Sequence, residues 1–191
     1  MMIARTCELD KSNVPCELEE VEVFSNRAEN LKDFVLQSAR NGARFDEAER
    51  GVWRQLLALG NASMSLFLQA QGNGDLGESV SIESGSVLNR SDSIQPRPVR
   101  SIFGEHCFEA FVYSQGANEK IELRPIDARL NLPECKASYL FQEFSQMFCV
   151  EKAFGVAAQQ FETVFQQKVS VGALVDINRT MGRKPTAFLT A

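Results

Sequence analysis

Residues 134–181 read ECKASYLFQEFSQMFCVEKAFGVAAQQFETVFQQKVSVGALVDINRTM and decide the C-terminal part of the fold. Apolar residues recur here at intervals of mostly three and four, in three successive runs, as amphipathic helices require. The runs are Tyr139, Phe141, Phe144 and Phe148; Phe154, Ala158, Phe161 and Phe165; and Val171, Leu174, Ile177 and Met181. Since Ser170 is placed to N-cap the last run after a short polar turn, a three-helix, helix-turn-helix-like module is predicted over 134–182.

The preceding region, 78–126, has the pattern of a small antiparallel β-sheet. Val80 and Ile82 alternate with serines, and further strands are expected over 99–103, 107–113 and 120–124. A hairpin turn is predicted at 115–118, and the polar, proline-containing segment 89–98 is predicted to be a loop. The glycine-rich stretch 72–77 lacks the lysine of a phosphate-binding loop, so we interpret it as a hinge.

The N-terminal region predicts a helical hairpin over 24–72, after an acidic leader over 1–23. Its first helix is expected to begin near Ser25 and to end at Asn41-Gly42. The apolar line of that helix is Ala28, Leu31, Val35 and Ala39, and the second helix (46–71) carries a heptad line of Val52, Leu56, Leu59, Ser63, Leu66 and Ala70. Either antiparallel packing of the two helices or a homodimeric coiled coil through 46–71 would bury the heptad line.

Charge is distributed unevenly along the 191 residues, whose formal net charge is −5. Residues 1–95 carry a balance of −6, whereas residues 96–191 carry +1. The third predicted helix and its flanks are locally basic, with four basic residues and one acid over 168–185. The overall acidity disfavours a nucleic-acid partner, but this local balance permits one.

The five cysteines, at 7, 16, 107, 135 and 149, include no C-x-x-C pair. Their odd number and irregular spacing favour reduced, packed thiols over a disulfide framework or a zinc site. The N-terminus lacks the apolar core of a secretory signal, and no stretch reaches the ~20 apolar residues of a membrane helix. We therefore expect a cytoplasmic protein without a membrane partner.

No catalytic constellation is evident in the sequence. The acidic residues after position 100 are scattered, and none follows a buried strand as a two-metal site would require. We expect them to be solvated or locally ion-paired. His106, the only histidine, is expected to be an edge residue, since its neighbour Cys107 would point to the opposite face of a strand. No catalytic residue, metal ligand or cofactor is predicted.

The candidate DNA contacts lie in and after the turn that precedes the third helix. They are Lys168, Ser170, Asn178, Arg179, Arg183 and Lys184, with Arg97 and Arg100 as a second possible contact to phosphates. Basic residues at a helix C-terminus also complement the helix dipole, so a purely structural role remains an alternative. The 14 phenylalanines could stack on bases, but their helical spacing favours a packed core.

Three stretches carry a resemblance to a known family. Residues 122–181 (ELRPIDARLNLP… to …INRTM), RSIFGEHCFEAFVY at 100–113 and GNGDLGESV at 72–80 are similar to the N-terminal half of Kra-type insertion-sequence transposases. The resemblance covers about residues 30–190. It implies DNA binding at the terminal repeats of an element, with the catalytic RNase H-like domain downstream of the matched region and 183–191 as a truncated tail. The chain departs from the family at Gly172, Ala173 and Val175, where a polar residue is usual near the start of the third helix.

The sequence therefore predicts an α+β protein with an N-terminal helical hairpin, a small antiparallel β-sheet and a C-terminal helix-turn-helix-like module. The expected function is DNA binding as the non-catalytic part of a transposase. The alternative is a non-enzymatic interaction module that dimerises through the heptad line, and a nuclease is the third possibility.

Overall fold

The computed structural model describes residues 18–82, 85–116, 119–150 and 152–183. Within these ranges the chain is α+β, as predicted, with six helices and two small antiparallel sheets. The helices are α1 (Leu18–Arg40), α2 (Phe45–Gln69), α3 (Pro125–Leu130), α4 (Tyr139–Cys149), α5 (Phe154–Phe165) and α6 (Val171–Arg183). The strands are β1 (Ser79–Ser81), β2 (Val87–Arg90), β3 (Gln95–Ser101), β4 (Gly104–Ala110) and β5 (Tyr113–Ser114).

The predicted helical hairpin is present, but its first helix begins earlier than expected. Residues 18–23, assigned from the sequence to the acidic leader, form the first turns of α1, and the rest of the leader lies outside the described residues. Glu19 and Glu20 lie in the first turn, where negative charge interacts favourably with the helix dipole. The end of α1 is as predicted, because Gly42 adopts a left-handed φ of 63° and turns the chain toward α2.

The contact between α1 and α2 does not follow the predicted apolar lines. The buried residues of α2 are Gly51, Leu57, Ala62 and Leu68, and none of them belongs to the heptad line. Leu56, a heptad residue, is 43% exposed, and Val35 of the α1 line is 45% exposed. Phe34 lies against Gly51 instead. Antiparallel packing of α1 on α2, one of the two alternatives for the heptad line, therefore does not bury Leu56 or Val35.

The strands form two sheets rather than the single sheet predicted, with orders β1-β2-β5 and β3-β4. β3 lies largely within the predicted loop 89–98. The amide of Arg100 bonds outward to Lys136, so even-numbered residues of β3 direct their backbone nitrogens away from β4. Pro96 and Pro98 share that orientation and cost the ladder no hydrogen bond, which explains why two prolines are tolerated here.

One further strand prediction was wrong. Residues 120–124 form no strand, and only Leu123 makes an isolated bridge, to Tyr113. The tight hairpin turn lies at Ile102-Phe103, between β3 and β4, whereas the predicted turn at 115–118 lies partly outside the described residues. The Phe103 ring packs on α2 at Gly60, where a β-carbon would lie 2.4 Å from its Cδ1. The β3–β4 hairpin thus packs on α2 through a contact between Gly60 and Phe103, which are far apart in the sequence.

The glycine-rich segment 72–77 is anchored by a buried tyrosine. The hydroxyl of Tyr113 accepts a hydrogen bond from the Leu76 amide (2.7 Å) and donates one to the Gly77 carbonyl (2.9 Å). Tyr113 is fully buried. The segment does change the chain from helix to strand, as the sequence suggested, but it is fastened to the sheet.

The three C-terminal helices each contact the other two and share one aromatic core. Phe141, Phe161 and Phe165 are buried, and the Phe141 and Phe161 rings have centroids 4.8 Å apart. The prediction that the phenylalanines form a packed core is confirmed. Tyr139 and Val171, assigned to the apolar runs, are instead about half exposed.

None of the helices in the described part of the chain combines the length and apolar character needed to cross a bilayer.

Candidate nucleic-acid interface

Residues 166–170 form the turn between α5 and α6. Gln166 ends α5 in the left-handed conformation (φ 55°), a position that usually needs glycine. The Ser170 hydroxyl accepts a hydrogen bond from the Ala173 amide at 3.1 Å. The predicted N-cap is therefore confirmed, and with it the start of the third helix at Val171.

One side of α6 is buried and the opposite side is open. Leu174 and Met181 are buried in the three-helix unit. Helical periodicity places Gly172, Arg179 and Arg183 on the opposite side, and both Gly172 and Arg179 are exposed. The backbone of Arg183 is helical, but its side chain and the whole of Lys184 lie outside the described residues. The outer face of α6 thus centres on Gly172 and Arg179.

Lys168 lies in the turn and projects into solvent. Its side chain is highly exposed, and its Nζ lies 4.0 Å from a carboxylate oxygen of Glu162. Such an exposed pair is weak and leaves the positive charge accessible. Lys168 therefore places an accessible positive charge just before the start of α6.

The turn is held against the β3–β4 hairpin by two side chains that the sequence did not single out for this role. Arg100 Nη2 donates to the Lys168 carbonyl at 2.5 Å, and Gln167 Nε2 donates to the carbonyls of Ser101 (3.1 Å) and Ile102 (2.6 Å). These contacts join residues more than 60 positions apart, so no local pattern could reveal them. They fix the turn to the rest of the fold.

Arg97 and Arg100, predicted as a second phosphate contact, serve internal roles. Arg97 is buried, with Nε 2.8 Å from Asp127 Oδ2 and Nη2 donating to the Pro133 carbonyl at 2.6 Å. Arg100 also places its guanidinium over the Phe141 ring, 5.2 Å from the centroid. The prediction was wrong for both residues because each guanidinium is engaged by protein groups.

Asn178 lies on the inner side of α6. Its Nδ2 donates to the Leu174 carbonyl at 2.8 Å. Burial raises the pKa of the Cys149 thiol, and a side-chain hydrogen bond with Asn178 acts in the opposite direction. Because the amide is engaged within the helical unit, Asn178 is not positioned as the base reader that the sequence suggested.

A cleft of about 610 Å³ separates α6 from the β3–β4 hairpin. From α6 it is lined by Ala173, Asp176, Ile177 and Thr180, and from the hairpin by Arg100, Glu105 and Cys107, among others. Acidic and basic groups both reach this cleft. Its mixed charge gives no preference for an anionic ligand.

His106 is buried rather than at an edge, which corrects the prediction. Its Nδ1 lies 3.1 Å from the Ser65 hydroxyl and its Nε2 lies 2.9 Å from the Ser101 hydroxyl. Desolvation lowers its pKa from the ordinary 6.5. Cys107 is exposed, so the expectation that the two neighbours face opposite sides of the strand is confirmed. His106 therefore joins α2 to β3 through two serine hydroxyls.

Among the residues that the structure describes, no three His, Cys, Asp or Glu side chains come together as a possible metal site. Asp127 is paired with Arg97, and Glu105 lies 3.5 Å from Arg100. Both acids therefore have local ion pairs, as the sequence suggested. The thiols of Cys107, Cys135 and Cys149 are free, while Cys7 and Cys16 lie outside the described residues.

The chain matches no protein-family model, and neither a curated protein nor a solved structure is significantly similar to it.

Proposed function

We propose that the chain binds DNA through the unit formed by α4, α5 and α6. The observation that carries the proposal is the outer face of α6, where Arg179 is exposed without a protein partner in the described residues. Lys168 adds a cation at the entry to the helix, and Arg183 follows Arg179 by four residues on the same side. Such a row of positive charges would neutralise phosphates along one strand.

The start of α6 offers a second source of attraction for phosphate. Ser170 caps the Ala173 amide, while the amides of Val171 and Gly172 belong to the unpaired first turn. A helix N-terminus favours anions through these amides and the helix dipole. A β-carbon on Gly172 would meet only the Ser170 hydroxyl, at 4.0 Å, so the backbone is open to close approach. Gly172, which weakens the helix, would thus permit a backbone contact.

This arrangement favours phosphate contacts over the reading of bases. Ala173 and Val175 offer no hydrogen-bonding side chain, and Asn178 is engaged inside the unit. Phosphate contacts position a protein on DNA, while base contacts specify the sequence. We therefore propose moderate sequence preference and a strong dependence of affinity on salt.

The resemblance to Kra-type insertion-sequence transposases suggests which DNA the chain would bind. We infer that the ligand is the terminal repeat of such an element, and that the chain serves as a recognition part without chemistry of its own. Catalysis would then belong to an RNase H-like domain.

Fluorescence anisotropy on labelled duplexes tests the proposal. The full chain at low salt is titrated against a terminal-repeat duplex and a scrambled duplex, with Arg179→Ala and Lys168→Ala as variants. Lys120→Ala, which removes another exposed cation outside the unit, is the matched control. We expect each test variant to weaken binding about three- to tenfold and the control to leave it unchanged.

Two results would contradict the proposal. One is the absence of binding to either duplex at low salt. The other is equal weakening by all three variants, which would indicate non-specific attraction to the chain as a whole. Mg²⁺-dependent cleavage of the matching duplex would overturn the inference that the chain is non-catalytic.

A further inference from the structure

The helical hairpin carries an apolar face that the described residues cover only in part. We call it the hairpin face, and its members are Val21, Ala28 and Val35 of α1 and Phe45, Val52, Leu56, Leu59 and Phe67 of α2. None of them is buried, and Phe45 is 83% exposed. Moreover, no described side chain of α1 is buried anywhere along the helix. A helix of 23 residues with this exposure leaves much of its apolar surface in water.

The position of the face on α2 follows from the contact between Phe34 and Gly51. A residue advances by about 100° around a helix, so Val52 lies about 100° from Gly51, Leu56 about 140° and Leu59 about 80°. If α2 is viewed along its axis, with Gly51 facing α1, all three residues therefore lie on the same side of the direction from α2 to α1. The buried residues Leu57 and Leu68 lie about 120° and about 100° in the other sense, toward the three-helix core and the β3–β4 sheet respectively.

The apolar residues of α1 lie on the matching side of the hairpin. Relative to Phe34, Val35 lies about 100° around the helix, Ala28 about 120° and Val21 about 140°, all in the same sense. Two antiparallel right-handed helices that rotate in the same sense from their contact line turn toward one common side. The apolar lines of both helices thus combine into a single surface, opposite to the sheet.

A second copy of this chain fits the surface better than other occupants. The α2 line keeps heptad spacing over nearly three repeats, the pattern by which helices pack on helices of the same kind. Two adjacent helices about 35 Å long and about 10 Å apart present roughly 600–700 Å². Stable interfaces bury about 800 Å² on each partner, so the face approaches the size that a dimer needs.

We propose that the hairpin face packs on the same face of a second copy, giving a two-fold symmetric four-helix bundle from two hairpins. A two-fold interface is self-complementary, so one apolar surface suffices for both partners. This inference is independent of DNA binding, because it involves neither α6 nor the turn before it.

Sedimentation velocity on the full chain, over a wide range of protein concentration, tests the dimer. The wild type should sediment as a species of twice 21.3 kDa at high concentration and dissociate on dilution. Val35→Glu and Leu56→Glu place charges at the centre of the face and should raise the dissociation constant about 100-fold or more. Circular dichroism of each variant checks that the helices remain folded.

Leu36→Glu supplies the matched control. Leu36 adjoins Val35 and is equally exposed (46% against 45%), but it lies about 200° from Phe34 and points away from the hairpin face. We expect this variant to dimerise as the wild type does. A wild type that stays monomeric at all concentrations would overturn the proposal. So would an equal increase of the dimer dissociation constant in Leu36→Glu and Val35→Glu.

Discussion

The Phe34 ring lies so close to Gly51 that a β-carbon on residue 51 would be 2.0 Å from the ring's Cζ. This contact fixes the distance between α1 and α2, because only glycine leaves room for an aromatic ring against the helix backbone. It also sets the rotation of both helices, and so determines which apolar residues are left outside.

We expect Gly51→Ala to destabilise the protein. Overpacking typically costs about 1–3 kcal/mol, and the better helix propensity of alanine returns about 1 kcal/mol, so a net loss of up to about 2 kcal/mol is expected. Urea unfolding at one fixed protein concentration measures the change. Gly155→Ala is the control, because a β-carbon there meets nothing within 4 Å, and this variant should be neutral or stabilising. Equal effects of the two substitutions would contradict the close contact.

Burial of His106 makes stability depend on pH. Its folded-state pKa lies below 6.5, so the unfolded chain takes up a proton at higher pH than the folded chain does. Well above pH 6.5 the imidazole is neutral in both states and the effect vanishes, whereas below about pH 6.5 the free energy of unfolding falls by up to ~1.4 kcal/mol per pH unit. Unfolding curves between pH 7 and 5 for the wild type and His106→Gln test this. In the variant, the free energy of unfolding should depend less steeply on pH. If the pH dependence is the same as in the wild type, groups other than His106 cause it.

The buried pair of Arg97 and Asp127 should be costly to break. Asp127→Asn leaves the guanidinium without its counter-charge, and we expect a loss of about 3–5 kcal/mol. Glu162→Gln removes the acid of an exposed pair whose atoms are 4.0 Å apart, and it should change stability by less than ~1 kcal/mol. Thermal or urea unfolding of both variants measures the contrast. Similar small losses would mean that Arg97 is compensated by its bonds to carbonyl oxygens.

DNA binding through Arg179 predicts a change in salt dependence. Each phosphate contact contributes about 0.9 to the slope of log affinity against log salt concentration on duplex DNA. Arg179→Ala should therefore reduce the magnitude of that slope by about one, whichever duplex is used. Anisotropy titrations from 50 to 200 mM salt measure it, with Lys120→Ala expected to keep the wild-type slope. A variant that loses affinity without a change in slope would assign Arg179 a role other than phosphate contact.

Local signals were sufficient for several elements of the fold. The Ser170 cap and the apolar spacing of α5 were read correctly because capping and helical periodicity involve residues within one or two turns. The same holds for the left-handed Gly42 at the end of α1. Errors arose where partners are remote. Pro96 and Pro98 suggested a loop, but an outward-facing edge accommodates them in a strand.

Roles of polar side chains were the least predictable part of the candidate site. Arg97 and Arg100 look like surface cations in the sequence, yet Asp127 and the Lys168 carbonyl engage them in the folded chain. His106 is buried because Ser65 and Ser101 satisfy both ring nitrogens. A polar group can be buried only when partners meet it. Packing of α2 on the β3–β4 hairpin brings Ser65 to His106, whereas α3 and the turn before α6 supply the partners of the two arginines.

The sequence by itself determined the fold class, the three-helix order of 134–182, the capped entry to α6 and the aromatic core, since these follow from periodicity and short-range hydrogen bonding. Only the tertiary structure decided which side of each helix faces inward. The apolar lines that include Val35 of α1 and Leu56 of α2 were recognised from the sequence. Because Gly51 leaves room for the Phe34 ring between the helices, both helices are rotated so that Val35 and Leu56 point outward. Periodicity identifies an apolar face, while the steric fit of the neighbouring element determines what that face contacts.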